Sequence, residues 1–250
     1  MNHLYKIILF SQNPALKNLI KEKLKDSWYE FMRHDEVASR YREYRDKEFS
    51  DYQFFVVDSS ENVVAICKSI PSYWDGTEKS LPEGYDMALE YAISNYKAKG
   101  KSNWNALLGT SVHVFEEYRN MGLSSFCLNV MKDICRKKNF QNLIIPVRPV
   151  LKHKFPLIEI EDYVKWRNSD GRVFDPWLRT HLNIGGRIIG IAKKSMVIKS
   201  SIDNWSKWTK MQFPSTGSYI VEGALSPIEI NCEENVGVYH DPNIWVVHTI

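Results

Sequence analysis

The sequence lacks any long apolar run. A membrane-spanning helix needs roughly 18 consecutive apolar residues, and no segment of the 250-residue chain approaches that length. The first residues include a short apolar stretch, but they have neither the long hydrophobic region nor the small-residue cleavage site of a secretory signal. We therefore expect a cytoplasmic protein that has no membrane partner.

Cysteine is also scarce, and it is scattered. The chain has four cysteines, and none of them belongs to a CxxC pair. Structural metal sites and disulfide frameworks depend on clustered spacing, so we expect neither a metal ion nor a disulfide. Free cysteines in the core of a protein from a reducing compartment explain the four positions. These positions are Cys67, Cys127, Cys135 and Cys232.

A strong excess of one charge is missing as well. The 33 lysines and arginines and the 30 aspartates and glutamates give a formal net charge of +3. This excess is too small to indicate nucleic-acid binding, although it suits an enzyme that binds a polyanionic cofactor. The sequence also has no repeats, low-complexity tracts or long linkers, so a single domain over residues 1–250 is the simplest organisation.

What the sequence does contain is a mixture of helical and strand patterns. Apolar residues that recur every three or four positions predict helices, and short runs rich in Val and Ile predict strands. The predicted helices cover 14–28, 35–49, 84–96, 125–138 and 176–184. The predicted strands cover 53–58, 63–70, 106–115, 143–147, 187–192, 195–199, 218–223, 227–230 and 243–248. This order predicts antiparallel hairpins together with one strand–helix–strand unit.

The last hundred residues are rich in tryptophan. They hold five of the eight tryptophans of the chain. Aromatic side chains are abundant both in ligand pockets and in subunit interfaces. The C-terminal region can therefore line a ligand pocket or a homodimer interface, and packing in the core is the simpler alternative for most of these side chains.

The segment Arg119–Ser124, RNMGLS, is a glycine-containing turn between a predicted strand and a predicted helix. The first backbone N–H groups of a helix have no partners within the helix, and the helix dipole adds partial positive charge there, so such a turn can bind a pyrophosphate. Gly122 lets the backbone approach the phosphates closely. Ser124 can add a hydroxyl donor, and Arg119 can add a positive charge.

The sequence VFEEYRNMGLS resembles the signature of the GCN5-related N-acetyltransferase (GNAT) superfamily. Val114, Tyr118, Arg119 and Gly122 match that signature in register, and Ser124 stands where the family prefers Gly or Ala. The resemblance continues through the hairpin 53–70, the strand 143–147 and the segment HLNIGGRIIGIA. It implies an α+β fold with a mixed, mostly antiparallel central sheet flanked by helices. The matching core covers 51–192, and residues 193–250 form a Trp-rich C-terminal extension like that of longer bacterial members.

The resemblance also implies a function and a cofactor. The expected reaction is transfer of an acyl group, most simply acetyl, from acetyl-CoA (coenzyme A) to a small-molecule amine that attacks the thioester directly. The strand that contains Val112 and Val114 would bind the pantetheine arm, and the backbone amides of the turn would hold the pyrophosphate. These amides are those of Asn120, Met121, Gly122, Leu123 and Ser124. The alternatives are a non-catalytic acyl-CoA-binding or regulatory protein, or a partner-binding protein that keeps only the fold.

Four residues are candidates for acid–base catalysis. His181 lies four positions before Gly185, where many family members carry the tyrosine that protonates the thiolate; packing within its helix is the alternative. Glu116 and Glu117 follow the strand, where members often place a general base, and a solvated acidic turn is the alternative. His113, on the face of the strand opposite Val112, is either catalytic or simply buried and hydrogen-bonded.

Three further features bear on the acceptor. Trp74-Asp75 can receive a cationic acceptor, and a plain exposed turn is the alternative. Asp86 and Asp75 are weaker candidates for a general base on the acceptor side. The basic segment 148–156 follows a strand, so it can contact the 3′-phosphate of the cofactor or an acidic acceptor, or it can be a solvated loop.

Overall fold

Nine strands form one sheet in the part of the chain that the computed structural model describes, which is residues 4–20, 24, 27–100 and 103–250. In chain order they are β1 (Tyr5–Leu9), β2 (Phe54–Asp58), β3 (Val63–Ser72), β4 (Ala106–Val114), β5 (Asn142–Val147), β6 (Arg187–Ser200), β7 (Gly217–Tyr219), β8 (Ile228–Asn231) and β9 (Val236–Thr249). Their spatial order is β1-β2-β3-β4-β5-β9-β8-β7, and β6 pairs with β9. Only β4 and β5 run parallel among the described pairs. The α+β class with a mixed, mostly antiparallel sheet is confirmed.

Seven α-helices accompany the sheet in the described residues. They are α1 (Leu16–Leu19), α2 (Glu36–Glu48), α3 (Tyr85–Lys99), α4 (Leu123–Lys137), α5 (Ile160–Tyr163), α6 (Pro176–Asn183) and α7 (Ile202–Thr209). The predicted helices 35–49, 84–96, 125–138 and 176–184 are confirmed as α2, α3, α4 and α6. The predicted helix 14–28 is present in part as α1, and its residues 21–23, 25 and 26 lie outside the described residues.

Aspartate side chains cap the starts of two helices. Asp35 accepts a hydrogen bond from Ala38 N at 2.6 Å and begins α2. Asp175 accepts hydrogen bonds from Trp177 N and Leu178 N, and the first residue of α6 is a proline. Both arrangements satisfy backbone N–H groups that have no partner inside the helix.

Helix α4 packs against the sheet through one apolar face. The buried side chains of this face are Leu123, Cys127, Leu128, Met131 and Cys135. They recur at spacings of one to four residues, as an amphipathic helix requires. Because the chain enters α4 directly after β4 and the turn, this packing fixes the N-terminus of α4 next to the end of β4.

The last strand lies in the middle of the sheet. β9 pairs with β5 from Asn142 opposite Thr249 to Val147 opposite Ile244. β6 also pairs with β9 along most of its length. Residues 193–250 therefore share a sheet with residues 51–192, and the division of one domain into a core and an extension stays a prediction.

Residues of the C-terminal half form a second hydrophobic cluster together with Phe31 and Met32. Phe31, Trp205 and Tyr239 are buried in it, and α7 contributes Trp205. The sequence patterns did not predict α7, because its eight residues form only about two turns of helix between strands. The strands predicted at 187–192 and 195–199 are one strand, β6, in which the pairing with β9 shifts register between Ala192 and Met196.

The cysteines are free, as expected, but not all of them are in the core. Cys67, Cys127 and Cys135 are buried and Cys232 is exposed. Cys232 directly follows β8, at the start of the turn that leads to β9, and solvent reaches its side chain there. The prediction of four core cysteines is therefore wrong for Cys232.

Candidate active site

A groove opens where β4 and β5 diverge. The two strands pair at Ala106–Asn142, Leu107–Leu143 and Leu108–Ile144 and then separate. The groove has a volume of about 960 Å³. The residues that line it are Ser27, Trp28, Tyr29, Gly109, Thr110, Ser111, Val112, His113, Val114, Tyr118, Arg119, Asn120, Gly122, Leu123, Ser124, Ser125, Ile145, Pro146, Val147, Arg148, Val150, Pro176, Trp177 and Thr180.

A bulge in β4 lies where the two strands diverge. Along the pair with β3, the register shifts so that Lys68 lies opposite Ser111 and Ser69 lies opposite Gly109, which leaves Thr110 as a bulge. A bulge bends its strand and increases its twist. From Gly109 onward, β4 keeps β3 as its partner and pairs with no described strand on its β5 side. Backbone groups on that edge can hydrogen-bond an extended ligand in the way that an added strand would.

The turn after β4 leads to the N-terminus of α4, which also lines the groove. Asn120 and Gly122 have φ angles of 63° and 77°, so the chain passes twice through the left-handed region before α4 begins. Gly122 is the residue that precedes α4, and no side chain of the described residues caps this helix end. The first N–H groups of α4 are therefore available to bind an anion, with the helix dipole adding to the attraction.

The predicted cofactor residues gather in this one place. Val112, Val114, Arg119, Asn120, Gly122, Leu123 and Ser124 all line the groove. Met121 does not, and its side chain is 53% exposed. The contact predicted for Met121 involves only its backbone amide, which lies in the same turn. Assignment of these residues to cofactor binding stays a prediction.

His113 is the candidate catalytic residue that the structure places in the groove. Its side chain is half-buried, and its Nε2 is buried and has no hydrogen-bond partner among the described residues. Burial, together with the positive charge of Arg119, lowers the pKa of His113 to about 4. The imidazole is therefore neutral at pH 7, so one of its ring nitrogens keeps a lone pair that can accept a proton.

His181 lies elsewhere. It is completely buried, it is not among the residues that line the groove, and its Nδ1 lies 2.9 Å from Nε2 of His248. Burial lowers the pKa of His181 to about 3, and burial beside Lys132 lowers that of His248 to about 4. Both rings are neutral at pH 7 and share one hydrogen bond. The role of His181 as the general acid stays a prediction, and it would require access that the buried position does not provide.

Replacement of His181 with glutamine tests whether this histidine is a structural residue or the general acid. If the His181–His248 contact is structural, we expect the variant to lose about 1–3 kcal/mol of unfolding free energy, since a buried polar group loses its partner. Its turnover rate would then stay near that of the unaltered protein. A turnover rate that falls by about 100-fold or more, the effect of losing a general acid, with an unchanged melting temperature would instead support the acid role.

Glu116 and Glu117 lie on an exposed turn between β4 and α4. Neither is among the residues that line the groove. The neighbouring Tyr118 does line it, and a hydrogen bond joins Tyr118 to Asp58. The geometry therefore brings His113 to the groove and leaves the two glutamates outside it, and the identity of the general base stays a prediction.

A smaller cavity of about 210 Å³ adjoins the closed end of the diverging strands. Tyr73, Trp74 and Tyr91 contribute aromatic walls, and Asp75 contributes a carboxylate. Hydrogen bonds from Ser80 and Thr77 lower the pKa of Asp75, so the carboxylate is ionised at neutral pH. Aromatic faces beside an anion are suited to an organic cation.

Asp86 does not line either cavity. It is 9% exposed, and its Oδ2 accepts a hydrogen bond from Val197 N at 2.9 Å. The carboxyl groups of Asp86 and Asp35 face each other, and Asp86 Oδ1 and Asp35 Oδ2 have no other partner among the described residues. Burial, with the neighbouring charge of Asp35, raises the pKa of Asp86 to about 8. This arrangement fits one proton shared by two carboxyl groups.

The raised pKa of Asp86 predicts how the stability of the protein depends on pH. The pKa of Asp86 is about 8 in the folded protein and about 3.9 in an unfolded chain. The folded state therefore binds the extra proton, and its contribution to stability is full below about pH 3.9 and is lost as the pH rises through about 8. We expect Asp86→Asn to flatten the decline in melting temperature between about pH 6 and pH 9. Asp133→Asn, on the exposed face of α4, is the control and should leave the decline unchanged.

Arg148 is the groove residue whose tertiary contacts the sequence did not reveal. It directly follows β5, and its Nε lies 2.9 Å from Oδ1 of Asp241 on β9. The basic character of 148–156 was visible in the sequence, but the partner is 93 residues away in the chain. A distant partner of this kind leaves no signal in the local pattern.

Two expected absences concern metal ions and membranes. Among the described residues, no group of three or more His, Cys, Asp or Glu side chains is arranged to hold a metal ion. No described helix is long and apolar enough to cross a membrane.

Several known proteins are similar to this chain in sequence or in fold. No model of a protein family matches the sequence. The arginine N-acetyltransferase avaD of Aspergillus versicolor is 31% identical over 226 residues, which cover 81% of this chain and 77% of that protein. The loading GNATL domain of CurA from Lyngbya majuscula has a TM-score of 0.61 at 14% identity, over 98% of this chain and 97% of that chain. The GphF GNAT-like decarboxylase, solved with isobutyryl-CoA, has a TM-score of 0.55 at 15% identity, over 99% of each chain.

The similarity to an N-acetyltransferase over most of the chain defines a protein of the acyltransferase class. The relative from Aspergillus versicolor is similar over most of both chains, and the two solved structures share the fold. The chain belongs to the GNAT superfamily and is an acyltransferase. The resemblance that VFEEYRNMGLS indicated is thereby confirmed.

Proposed function

We propose that the protein transfers an acyl group, most simply acetyl, from coenzyme A to an amine of a small molecule. The observation that carries this proposal is the groove between β4 and β5, which ends at the uncapped N-terminus of α4. A groove with free strand edges and an anion site at one end matches a long cofactor that has a diphosphate at one end and a thioester at the other.

The cofactor would be held mainly by backbone groups. The amides that begin α4, together with those of the turn at Gly122, would bind the diphosphate. The unpaired edge of β4 from Gly109 to Val114 would bind the amide-containing arm, and Arg119 would add charge. A side chain at position 109 would press on Ile145, because a Cβ there would lie 2.7 Å from its Cγ1.

The reaction requires few chemical groups. The amine nitrogen attacks the thioester carbonyl carbon, a C–N bond forms, the C–S bond breaks, and one proton moves from nitrogen to the departing sulfur. His113 is proposed to accept the proton of the amine because it lines the groove and keeps a lone pair at pH 7, although its pKa of about 4 makes it a weak base. Alignment of the two reactants in the groove supplies much of the rate acceleration.

The acceptor is proposed to be a cationic small molecule, and arginine is the first to test. The relative from Aspergillus versicolor is named for arginine. The aromatic cavity beside Asp75 supports this choice, since it is suited to an organic cation. Cytoplasmic location, a homodimer and the absence of nucleic-acid or membrane partners stay predictions.

Calorimetry with acetyl-CoA and a thiol-release assay with L-arginine together test the proposal. We expect saturable binding at micromolar cofactor and release of one free thiol for each acylated amine. Absence of binding at high micromolar acetyl-CoA would overturn it. Binding without turnover of any amine would favour the non-catalytic alternative.

A further inference from the structure

Arg148 is held firmly at one wall of the groove. Its Nε donates to both oxygens of Asp241, at 2.9 and 3.2 Å, and its Nη2 donates to Gly223 O at 2.8 Å. Asp241 is fully buried, whereas the Arg148 side chain is 21% exposed. The arginine is thus the member of the pair that a molecule in the groove can reach.

Buried hydrogen bonds behind Arg148 keep Asp241 in place. Asp241 accepts from the Tyr239 hydroxyl at 2.5 Å and from Asn243 Nδ2 at 2.8 Å. The chain of hydrogen bonds continues from Ser195 Oγ to Asn243 Oδ1 at 2.7 Å and from Tyr85 N to Ser195 Oγ at 2.8 Å. Such a connected network holds the guanidinium in one orientation and lowers the entropy that a ligand would lose on binding.

The guanidinium keeps its charge and has donors left for a ligand. Burial alone would lower the pKa of Arg148, but the adjacent Asp241 carboxylate raises it. Its hydrogen bonds to Asp241 and Gly223 use Nε and Nη2, and no hydrogen bond of Nη1 is found among the described residues. A planar guanidinium with available donors at a groove wall is suited to an anionic oxygen.

Aromatic side chains lie beside this donor. Trp28 and Tyr29 also line the groove and are 42% and 41% exposed. Tyr29 packs on the backbone of Gly223, where an added Cβ would lie 2.1 Å from its ring. The Gly223 carbonyl that fixes Arg148 is therefore covered by the same aromatic wall, and a side chain there would displace Tyr29.

The anionic oxygen that Arg148 would bind can belong to a phosphate of the cofactor or to a carboxylate of the acceptor. The N-terminus of α4, on the β4 side of the groove, is the place proposed above for the diphosphate. Arg148 belongs to the opposite side, because it follows β5, and the two strands diverge toward these ends. Arg148 lies in the groove with the exposed aromatic side chains of Trp28 and Tyr29, which can contact a small organic molecule. This environment favours the carboxylate of the acceptor as the partner of Arg148.

We infer that Arg148 binds a carboxylate of the acceptor, so that the preferred acceptors are amino acids or other amines that carry a carboxylate. This inference rests on the proposed acyl transfer. Arg148 thereby determines specificity: it contributes to acceptor binding and has no part in moving the proton. An amine that lacks the carboxylate would leave the guanidinium donor without a partner in a partly desolvated site, which costs affinity.

The test compares a panel of L-amino acids, including L-arginine, with the corresponding amides at saturating acetyl-CoA. The amides keep the same amine and side chain but lack the negative charge. We expect kcat/KM to be about 10- to 100-fold higher for the acids, as one charge-assisted hydrogen bond would provide. Equal turnover of acids and amides, or turnover of simple amines only, would overturn the inference.

Variants of Arg148 then test whether this residue is responsible for the preference for acids over amides. Arg148→Lys keeps the charge and loses the planar fork, and Arg148→Met combined with Asp241→Asn avoids leaving a buried charge unpaired. We expect both to raise KM for the amino acid about 10-fold or more, with kcat changed little and the preference for acids over amides reduced. Arg172→Met, whose side chain is 62% exposed and outside the groove, is the control and should behave like the unaltered protein.

Measurements of cofactor binding show whether Arg148 binds the acceptor or the 3′-phosphate of coenzyme A, and whether the proposed function itself holds. Calorimetry with coenzyme A and with dephospho-coenzyme A should give the same affinities in the Arg148 variants as in the unaltered protein. Weaker binding of coenzyme A alone would assign Arg148 to the 3′-phosphate and overturn the inference. Absence of binding in the unaltered protein, or binding with no acylation of any amine, would refute the proposed function itself, and thermal melts would show that each variant is folded.

Discussion

Replacement of Gly122 with glutamate should abolish the binding of coenzyme A, with an increase in Kd of at least about 100-fold. Two physical effects act together. The residue has a φ of 77°, a conformation that residues other than glycine rarely adopt. A carboxylate at the N-terminus of α4 would also repel a diphosphate at the place where helix N–H groups would bind it. The change is measured by calorimetry with acetyl-CoA.

Gly171 provides a matched control for this substitution. It also has a φ of 77°, it lies in an exposed turn, and it is outside the groove. Gly171→Glu therefore introduces the same strain and the same charge away from the proposed phosphate site. Both variants should be folded, and only Gly122→Glu should lose cofactor binding. Unchanged binding by a folded Gly122→Glu would mean that the turn is not the phosphate site.

Replacement of His113 with glutamine should lower kcat by about 100- to 10,000-fold, the usual contribution of a general base. Glutamine keeps a polar side chain of similar length, but it cannot accept the proton. Since His113 lines the groove beside the edge of β4, the cofactor contacts of the backbone should remain. We therefore expect Kd for acetyl-CoA to change little while thiol release with L-arginine falls.

Glu116→Gln is the control for His113. Glu116 is a candidate base from the sequence as well, and it lies on an exposed turn outside the groove. If Glu116→Gln lowers kcat and His113→Gln does not, the general base is Glu116 and not His113. If neither variant matters, the amine loses its proton to water, and the groove acts mainly by alignment.

The local parts of the site could be predicted from the sequence because each depends on neighbouring residues. The helix α4 was predicted from the spacing of Phe126, Val130 and Ile134, which are half-buried, and the fully buried residues of the helix are neighbours of these three. The turn before it follows from Gly122 and from the change between strand and helix patterns. Both are encoded within about 20 residues, the range over which hydrophobic periodicity is informative.

The environment of each side chain could not be predicted in the same way. His181 occupies the expected position near the end of α6, yet it is buried against His248, which lies 67 residues further along. Asp86 was a candidate base on the acceptor side, and its carboxyl group is instead buried facing that of Asp35, which raises its pKa. In both cases the pKa depends on burial and on a distant partner, and neither leaves a periodic signal.

The sequence by itself determined the class of fold, the strand–turn–helix motif and the group of residues that surround Gly122. Only the tertiary structure decided that β9 lies beside β5, and this placement brings Asp241 behind Arg148. The physical reason is that hydrogen-bonding and packing preferences of a segment act locally, whereas the order of strands in a sheet depends on which distant faces bury each other. The groove, the unpaired edge of β4 and the position of Arg148 on the opposite wall all result from the order of the strands.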